Sequence, residues 1–282
     1  MKFKSFIALI RLQNILIAEL TMLVMIWIIH PVVINFSFWI GVTIVFCVMA
    51  GANILNDLYD LKTDMINKPE RVLVSGQISI ETAIYLTFIF FTAAIIFSFF
   101  LSPVPLRIVL ASVLLLLYYT SDFKSMPLGG NVVVATITSS LLIFAGLLLG
   151  KANEALIPAV LAFFVHLIRE ITKDYEDVSG DIAAGINTLA TGKDKKRGIR
   201  YMQLLSLTFI GFLIVVITGF YYGQVFGYLV PILIIVPLLF FILKINSELP
   251  GASVFGQFSL FLKYAMFVGL FSMGVGRWFM NL

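Results

Sequence analysis

Charge is scarce in this chain. Only 12% of its 282 residues are Asp, Glu, Lys or Arg, where a soluble domain carries about 25%. With 61% hydrophobic residues and a mean hydropathy of +1.06, it could not cover itself in water. The apolar residues run along the whole length rather than gathering in one anchor. That excludes a soluble domain on a tether and favours a polytopic helical bundle. Cysteine is almost missing too. Cys47 alone excludes an internal disulfide and a cysteine-type zinc site, and it reads as a small buried hydrophobe. The two histidines, His30 and His166, fall in different apolar stretches and make no metal pair. A small-residue cleavage site is absent behind Met-Lys-Phe-Lys, and Arg11, Asn14 and Glu19 interrupt the apolar run that follows. That run is expected to remain as a first helix.

What is present in quantity is span-length apolar sequence. About 20 mostly apolar residues cross a bilayer, and nine stretches qualify: roughly 8–29, 34–55, 80–101, 105–120, 131–150, 155–173, 201–222, 226–245 and 257–279. The expected fold is all-α, a bundle of about nine transmembrane helices forming a single domain over 1–282. The connections 56–79, 121–130 and 174–200 are polar and charged, whereas 30–33, 102–104 and 223–225 are short and nearly uncharged. Lys2, Lys4, Lys62, Lys68, Arg71, Lys124, the cluster from Lys193 to Arg200, and Lys244 fall on one side; Arg107, Lys151 and Arg277 fall on the other. The positive-inside rule then places the N-terminus and the three polar connections in the cytoplasm of a cell-membrane protein, with the C-terminus outside. A net charge of +4 requires no nucleic-acid partner. It suits anionic headgroups and a phosphorylated substrate, and no obligate protein partner is evident.

The remaining charge is organised. The second stretch runs into Asp57-x-x-Asp60-x-x-x-Asp64 and the sixth into Asp174-x-x-Asp177-x-x-x-Asp181. Each member of the second set stands 117 residues after its counterpart, and the same offset pairs Asn53 with Glu170. This relates the two halves of the chain. On a helix, positions i, i+3 and i+7 lie within about 60° of one another, so each motif points three carboxylates along one face. If the helix unwinds partway, as the glycine before Asp181 permits, the last aspartate still reaches the same centre. Carboxylates crowded at a membrane need a cation to neutralise them. All-oxygen donors suit Mg²⁺, which keeps several waters and takes further ligands from phosphate. Two such stripes facing each other would hold two Mg²⁺ ions, one each, bridging a diphosphate.

At these residues the sequence resembles the UbiA superfamily of intramembrane prenyltransferases. The resemblance rests on Asn56-Asp57-x-x-Asp60-x-x-x-Asp64, on Asp174 to Asp181, and on Asn67-Lys68-Pro69-Glu70-Arg71 with Ser75-Gly76. Tyr119 with Phe123-Lys124, Gly130-Asn131, and Arg11 and Asn14 in the first helix extend it. Within the family, the Asn-Lys-Pro-x-Arg stretch and the Lys-Asp-Tyr-Glu-Asp-Val-Ser-Gly-Asp run resemble the branch that transfers a geranylgeranyl group to geranylgeranylglyceryl phosphate. The resemblance implies Mg-dependent transfer from an allylic prenyl diphosphate to a lipophilic acceptor, in membrane ether-lipid synthesis. An aromatic acceptor, as in quinone synthesis, is the alternative within the family. Asp57, Asp60 and Asp64 are then expected to serve one ion and Asp174, Asp177 and Asp181 the other, with Asn53, Asn56 and Glu170 beside them.

Lys68, Arg71 and Lys124 are candidates for gripping the diphosphate, or are charges that set topology. Lys173 fits either role, and Tyr119 is a hydrogen-bond donor to the diphosphate or an interfacial tyrosine. The charges from Lys193 to Arg200 read as a headgroup-facing loop. An ion-coupled transporter would place its acids near the bilayer midplane, whereas these sit at helix ends. The Asp-Gly run of a CDP-alcohol phosphotransferase is missing, and two distant histidines do not fit an intramembrane metalloprotease.

Overall fold

The computed structural model describes residues 2–30, 32–121, 126–192, 195–247 and 251–280, without the side chains of 119–121, 184, 246 and 247. All nine expected stretches fall on helices. α1 (Phe3–Leu9) and α2 (Leu12–Ile28) meet at a bend of 57°. α3 (Phe36–Tyr59) leads into the short α4 (Leu61–Asn67). α5 (Ile80–Ser98), α6 (Pro103–Ser121) and α7 (Gly129–Leu148) follow. A 3₁₀ turn (Ala152–Ala155) opens α8 (Leu156–Glu176), and the short α9 (Val178–Ala184) succeeds it. α10 (Lys195–Thr218) precedes a span made of α11 (Gly223–Val230), a π-helical turn (Pro231–Ile235) and α12 (Val236–Ser247). α13 (Ala252–Met280) packs on α2, α8 and α11 and closes the bundle. Among the described residues seven helical stretches are long and apolar enough to cross a membrane, or eight if the bent α1–α2 pair is counted as one span.

Local chemistry explains the starts. Asn35 Oδ1 accepts the Phe38 amide at 3.1 Å to cap α3, and Ser79 Oγ accepts the Thr82 amide at 3.2 Å to cap α5. Pro103 opens α6, where its missing N–H costs nothing. The π-helical turn begins at Pro231, which cannot donate into the regular ladder.

The 117-residue offset holds for the architecture as well as the motifs. Shifted by 117, Leu12 at the start of α2 becomes Gly129 at the start of α7, and α4 becomes α9 end for end. The residues before α2 and α7, Arg11 and Leu128, both take positive φ, 51° and 69°. The two halves are therefore repeats of one helical unit, to which α1, α12 and α13 are added.

Packing separates two faces of every span. The main core is built from α2, α3, α7, α8, α10, α11 and α13. A second cluster joins Leu9, Ile10 and Ile15 to Ala50 and Ile54 and to Val72, Leu73 and Ile78 from the connection after α4. That connection is thus folded back under the α1–α2 bend and tied there by Ser5 Oγ donating to Gln77 Oε1 at 2.9 Å. Outward faces stay apolar, as with Ile84, Phe88 and Ile89 on α5 and Leu204, Leu207 and Ile214 on α10. Such faces belong against lipid, where no polar cover is needed. Cys47 is buried and unpaired.

α3 and α5 approach closely because Gly51 has no side chain: a Cβ there would lie 2.6 Å from the Phe91 ring. Gly51→Val is expected to cost about 1–3 kcal/mol by overpacking, read as a lower unfolding midpoint in detergent. Gly211→Ala, where a Cβ meets open space, should leave the midpoint unchanged or raise it slightly.

Candidate active site at the two helix breaks

Both aspartate motifs straddle a break in their helix. α3 stops at Tyr59 and α8 at Glu176, and the chain turns at Asp60 (φ −79°, ψ 2°) and Asp177 (φ −95°, ψ 9°) before α4 and α9 begin. The expected single helical face is therefore replaced by a bent one. The first aspartate of each motif sits on the span, the second at the break and the third on the short helix. The second break falls at Asp177, ahead of Gly180, which itself remains helical within α9.

The first half is tied by arginines. Arg11 and Arg71 both donate to Asp57 Oδ1, Arg71 Nη1 at 3.1 Å. The same Arg71 nitrogen donates to Asp64 Oδ2. Asp57 and Asp64 are 5% and 3% exposed, so two cations answer two buried carboxylates. Burial pushes the Asp64 carboxyl above its ordinary value, with Arg71 pulling it down. Asn56 Nδ2 donates to Asp60 Oδ2 at 2.8 Å. Asn53 is spent on the backbone: its Nδ2 donates to the Ile10 carbonyl at 2.8 Å. That bond holds the α1–α2 bend, where Arg11 lies in the left-handed region, and so aims Arg11 at Asp57. Burial of Val72 and Leu73 fixes Arg71 from the other side.

In the second half an amide and a lysine answer the aspartates, and an arginine and a lysine flank Glu170. Asn131 Nδ2 donates to Asp174 Oδ2 at 3.1 Å. Glu170 lies between Arg169 and Lys173, at 3.3 and 3.4 Å. Lys68 crosses from the first half to Asp177, at 3.3 and 3.4 Å from its two oxygens. Next to it, Asn67 Nδ2 donates to the Asp177 carbonyl at 3.3 Å, and Ser179 Oγ donates to Asn67 Oδ1 at 3.4 Å. Gly180 makes room for this contact, since a Cβ there would collide with the Asn67 amide.

One cavity of about 800 Å³ joins the halves. Its polar end is lined by Asp60, Asp64, Asp174, Asp177 and Asp181 together with Arg11, Asn14, Asn53, Asn56, Lys68, Arg71, Glu170 and Lys173. Its deep end is apolar, bounded by Phe144, Phe209, Leu213, Phe226 and Met273. Asp57 does not line it, being turned toward the arginines. Lys124 lies outside the described residues, and Tyr119 is described only in its backbone. Asn67 and Asn131 stand in the motif match without a role in the site, and Arg169 is not named by it. The offset was a usable signal for one of them, because Asn131 is the counterpart of Asn14.

The donor set is oxygen throughout, which fits Mg²⁺. Among the described residues no three acidic, histidine or cysteine side chains converge as a ready-made cage. An ion would take part of its ligation from water or substrate, as Mg²⁺ commonly does.

The chain belongs to the UbiA prenyltransferase family, whose pattern matches residues 19–278. It is a prenyltransferase and a multi-pass membrane protein. It is similar to the digeranylgeranylglyceryl phosphate synthase of Saccharolobus solfataricus, 32% identical over 282 residues and 98% of each chain. It also resembles the same-named enzyme of Sulfolobus acidocaldarius, 30% identical over 260 residues, 90% of this chain and 91% of that one. A solved structure described as giving structural and mechanistic insights into the biosynthesis of digeranylgeranylglyceryl phosphate synthase in membranes superposes with a TM-score of 0.77 at 26% identity, over 99% of both chains. A UbiA homolog from Archaeoglobus fulgidus bound to DMAPP and Mg²⁺ shares the fold at a TM-score of 0.69 and 20% identity, over 94% of this chain and 99% of that one.

Arg71→Met removes the partner of buried Asp64. Stability should fall by about 3 kcal/mol, and adding Asp64→Asn should restore much of it, measured as unfolding midpoints in detergent. An unchanged midpoint in the single variant would contradict the pairing.

Proposed function

We propose that this chain transfers a geranylgeranyl group from geranylgeranyl diphosphate to the free hydroxyl of geranylgeranylglyceryl phosphate, in membrane ether-lipid biosynthesis. The observation that carries the reading is the shape of the 800 Å³ cavity: acids and bases from two helix breaks at one end, an apolar channel at the other. A prenyl diphosphate has the same division between head and tail. The full-length relatives at 30–32% identity support the choice of acceptor. Residues 1–282 act as one domain in this reading, since both halves line the same cavity. The N-terminus and the segments 56–79, 121–130 and 174–200 face the cytoplasm, with the C-terminus outside.

Two Mg²⁺ ions are assigned to the site, one to Asp57, Asp60 and Asp64 and one to Asp174, Asp177 and Asp181, with water completing each shell. Bound there, Mg²⁺ would neutralise charge on the departing diphosphate. The chain's own cations now occupy the carboxylates that the ions would take. Arg11, Lys68 and Arg71 are thus placed to turn onto the diphosphate oxygens, arginine bidentately and lysine as a point charge. Lys124, Tyr119 and Lys173 are assigned to the same end, and Asn14, Asn53, Asn56 and Glu170 orient it.

The bond from the allylic carbon to the diphosphate breaks with its electron pair going to the diphosphate. The acceptor hydroxyl oxygen forms the new C–O bond, and its proton leaves to water or to the released diphosphate. Arg11, Lys68 and Arg71, already held in place, meet the negative charge that develops on the departing diphosphate in the transition state. The apolar wall keeps water from competing with the acceptor.

Asp60→Ala or Asp177→Ala should lower turnover by at least about 10²-fold, with insertion and elution in detergent unchanged. EDTA should stop the wild-type enzyme and Mg²⁺ restore it. Full activity in either test would defeat the reading.

A further inference from the structure

We infer that Lys263 on α13 is the receptor for the phosphate of the lipid acceptor, in the wall between the cavity and a hollow flanked by α2 and α13. This rests on the acceptor being a phosphorylated glyceryl ether, as proposed above. α13 carries two basic residues, Lys263 and Arg277. Arg277 is accounted for, donating to Glu154 Oε2 at 3.0 Å at the far end of the bundle. Lys263 has neither an ion-pair nor a hydrogen-bond partner among the described residues.

Its depth makes that unusual. Gly256, seven residues earlier, packs against Glu176, with a Cβ there 3.3 Å from Glu176 Oε1, so that turn is level with the end of α8. Lys263 lies two turns further in, about 10 Å along the helix. A cation at such depth is costly unless it faces a polar cavity or meets an anion, and it commonly marks a substrate path.

Lys263 borders the main cavity and also a separate hollow of about 380 Å³. That hollow is walled by Gln13, Leu16 and Ile17 of α2 and by Leu260, Tyr264 and Phe267 of α13. Ile17, Leu260, Lys263 and Phe267 border both spaces, so Lys263 stands in the wall between the cavity and the hollow. Its outer wall faces the lipid side, with Leu16 57% and Tyr264 62% exposed.

The prenyl diphosphate has its own cations in Arg11, Lys68 and Arg71 at the helix breaks, leaving Lys263 for the other substrate. In a glyceryl phosphate the reacting hydroxyl is on the carbon next to the one bearing phosphate. A phosphate receptor must therefore lie close to the transferred carbon but away from the diphosphate. An amphiphile arriving from the bilayer meets Lys263 with its head while its chain stays along Leu16, Leu260 and Tyr264.

The test compares wild type, Lys263→Met, Lys263→Gln and Lys263→Arg with geranylgeranyl diphosphate, Mg²⁺ and either geranylgeranylglyceryl phosphate or unphosphorylated geranylgeranylglycerol. Loss of one charge-assisted hydrogen bond should raise KM for the phosphorylated acceptor on the order of tenfold or more in Lys263→Met and Lys263→Gln. KM for the prenyl diphosphate and turnover of the unphosphorylated acceptor should not move, and Lys263→Arg should recover most of the loss. An unchanged KM, as for a lysine that only snorkels to the interface, would overturn the assignment. Equal loss with both acceptors, as for a structural role, would do the same. A wild-type enzyme that ignores the phosphorylated acceptor yet prenylates another would overturn the acceptor reading, and this subsite with it.

Discussion

A carboxylate taken out of water must meet a cation, and this bundle places its acids at the end of an apolar core. Much of the local architecture around the site follows from that requirement. The α1–α2 bend aims Arg11 at Asp57, and Asn53 holds the bend by bonding the Ile10 carbonyl. The buried Val72 and Leu73 fix Arg71 over Asp57 and Asp64. Isolated surface pairs of this kind contribute little, but breaking a buried one leaves a charge with no solvent to answer it. In the proposed mechanism these pairs are the part of the molecule that rearranges when a substrate bearing its own charges arrives.

The internal repeat supplies the geometry for two such sets of acids and then lets them diverge. α4 and α9 are equivalent elements, and they meet through Asn67, Gly180 and the Lys68–Asp177 pair. Yet the equivalents of Arg11 and Asn53 are Leu128 and Glu170. In the first half guanidinium groups therefore answer Asp57 and Asp64, whereas in the second Asn131 answers Asp174, Arg169 and Lys173 flank Glu170, and Asp177 takes a cation borrowed from the first. Each half alone would leave part of its charge unanswered, which couples the two breaks to one another. The apolar channel runs between them because α3 and α8 bring both breaks to the same end of the bundle.

Much of this was legible from residue type and spacing. Hydropathy located the spans because lipid-facing and core-facing positions are both apolar, so α6 stands out although its apolar stretch in the sequence is the shortest. The repeated Asp-x-x-Asp-x-x-x-Asp pattern pointed to helix ends, and the structure brings both motifs to helix breaks beside the cavity. The breaks at Asp60 and Asp177 were not legible, since neither position carries the glycine or proline that usually marks a stop. Nor was the turning of Asp57 away from the cavity, which depends on Arg11 and Arg71 arriving from distant segments. Asn53 reads as a ligand by its position one turn before the motif, and only the fold shows its amide given to Ile10. Asn131 could have been found by applying the 117-residue offset to Asn14.

The account stands most directly on the identity of a product. Purified enzyme would be given Mg²⁺ and radiolabelled geranylgeranyl diphosphate, with geranylgeranylglyceryl phosphate or aromatic acids offered in parallel. The account predicts one labelled product, digeranylgeranylglyceryl phosphate, formed only with Mg²⁺ and only from the glyceryl ether. A labelled aromatic product, or transfer to the glyceryl ether that persists without a divalent ion, would contradict it.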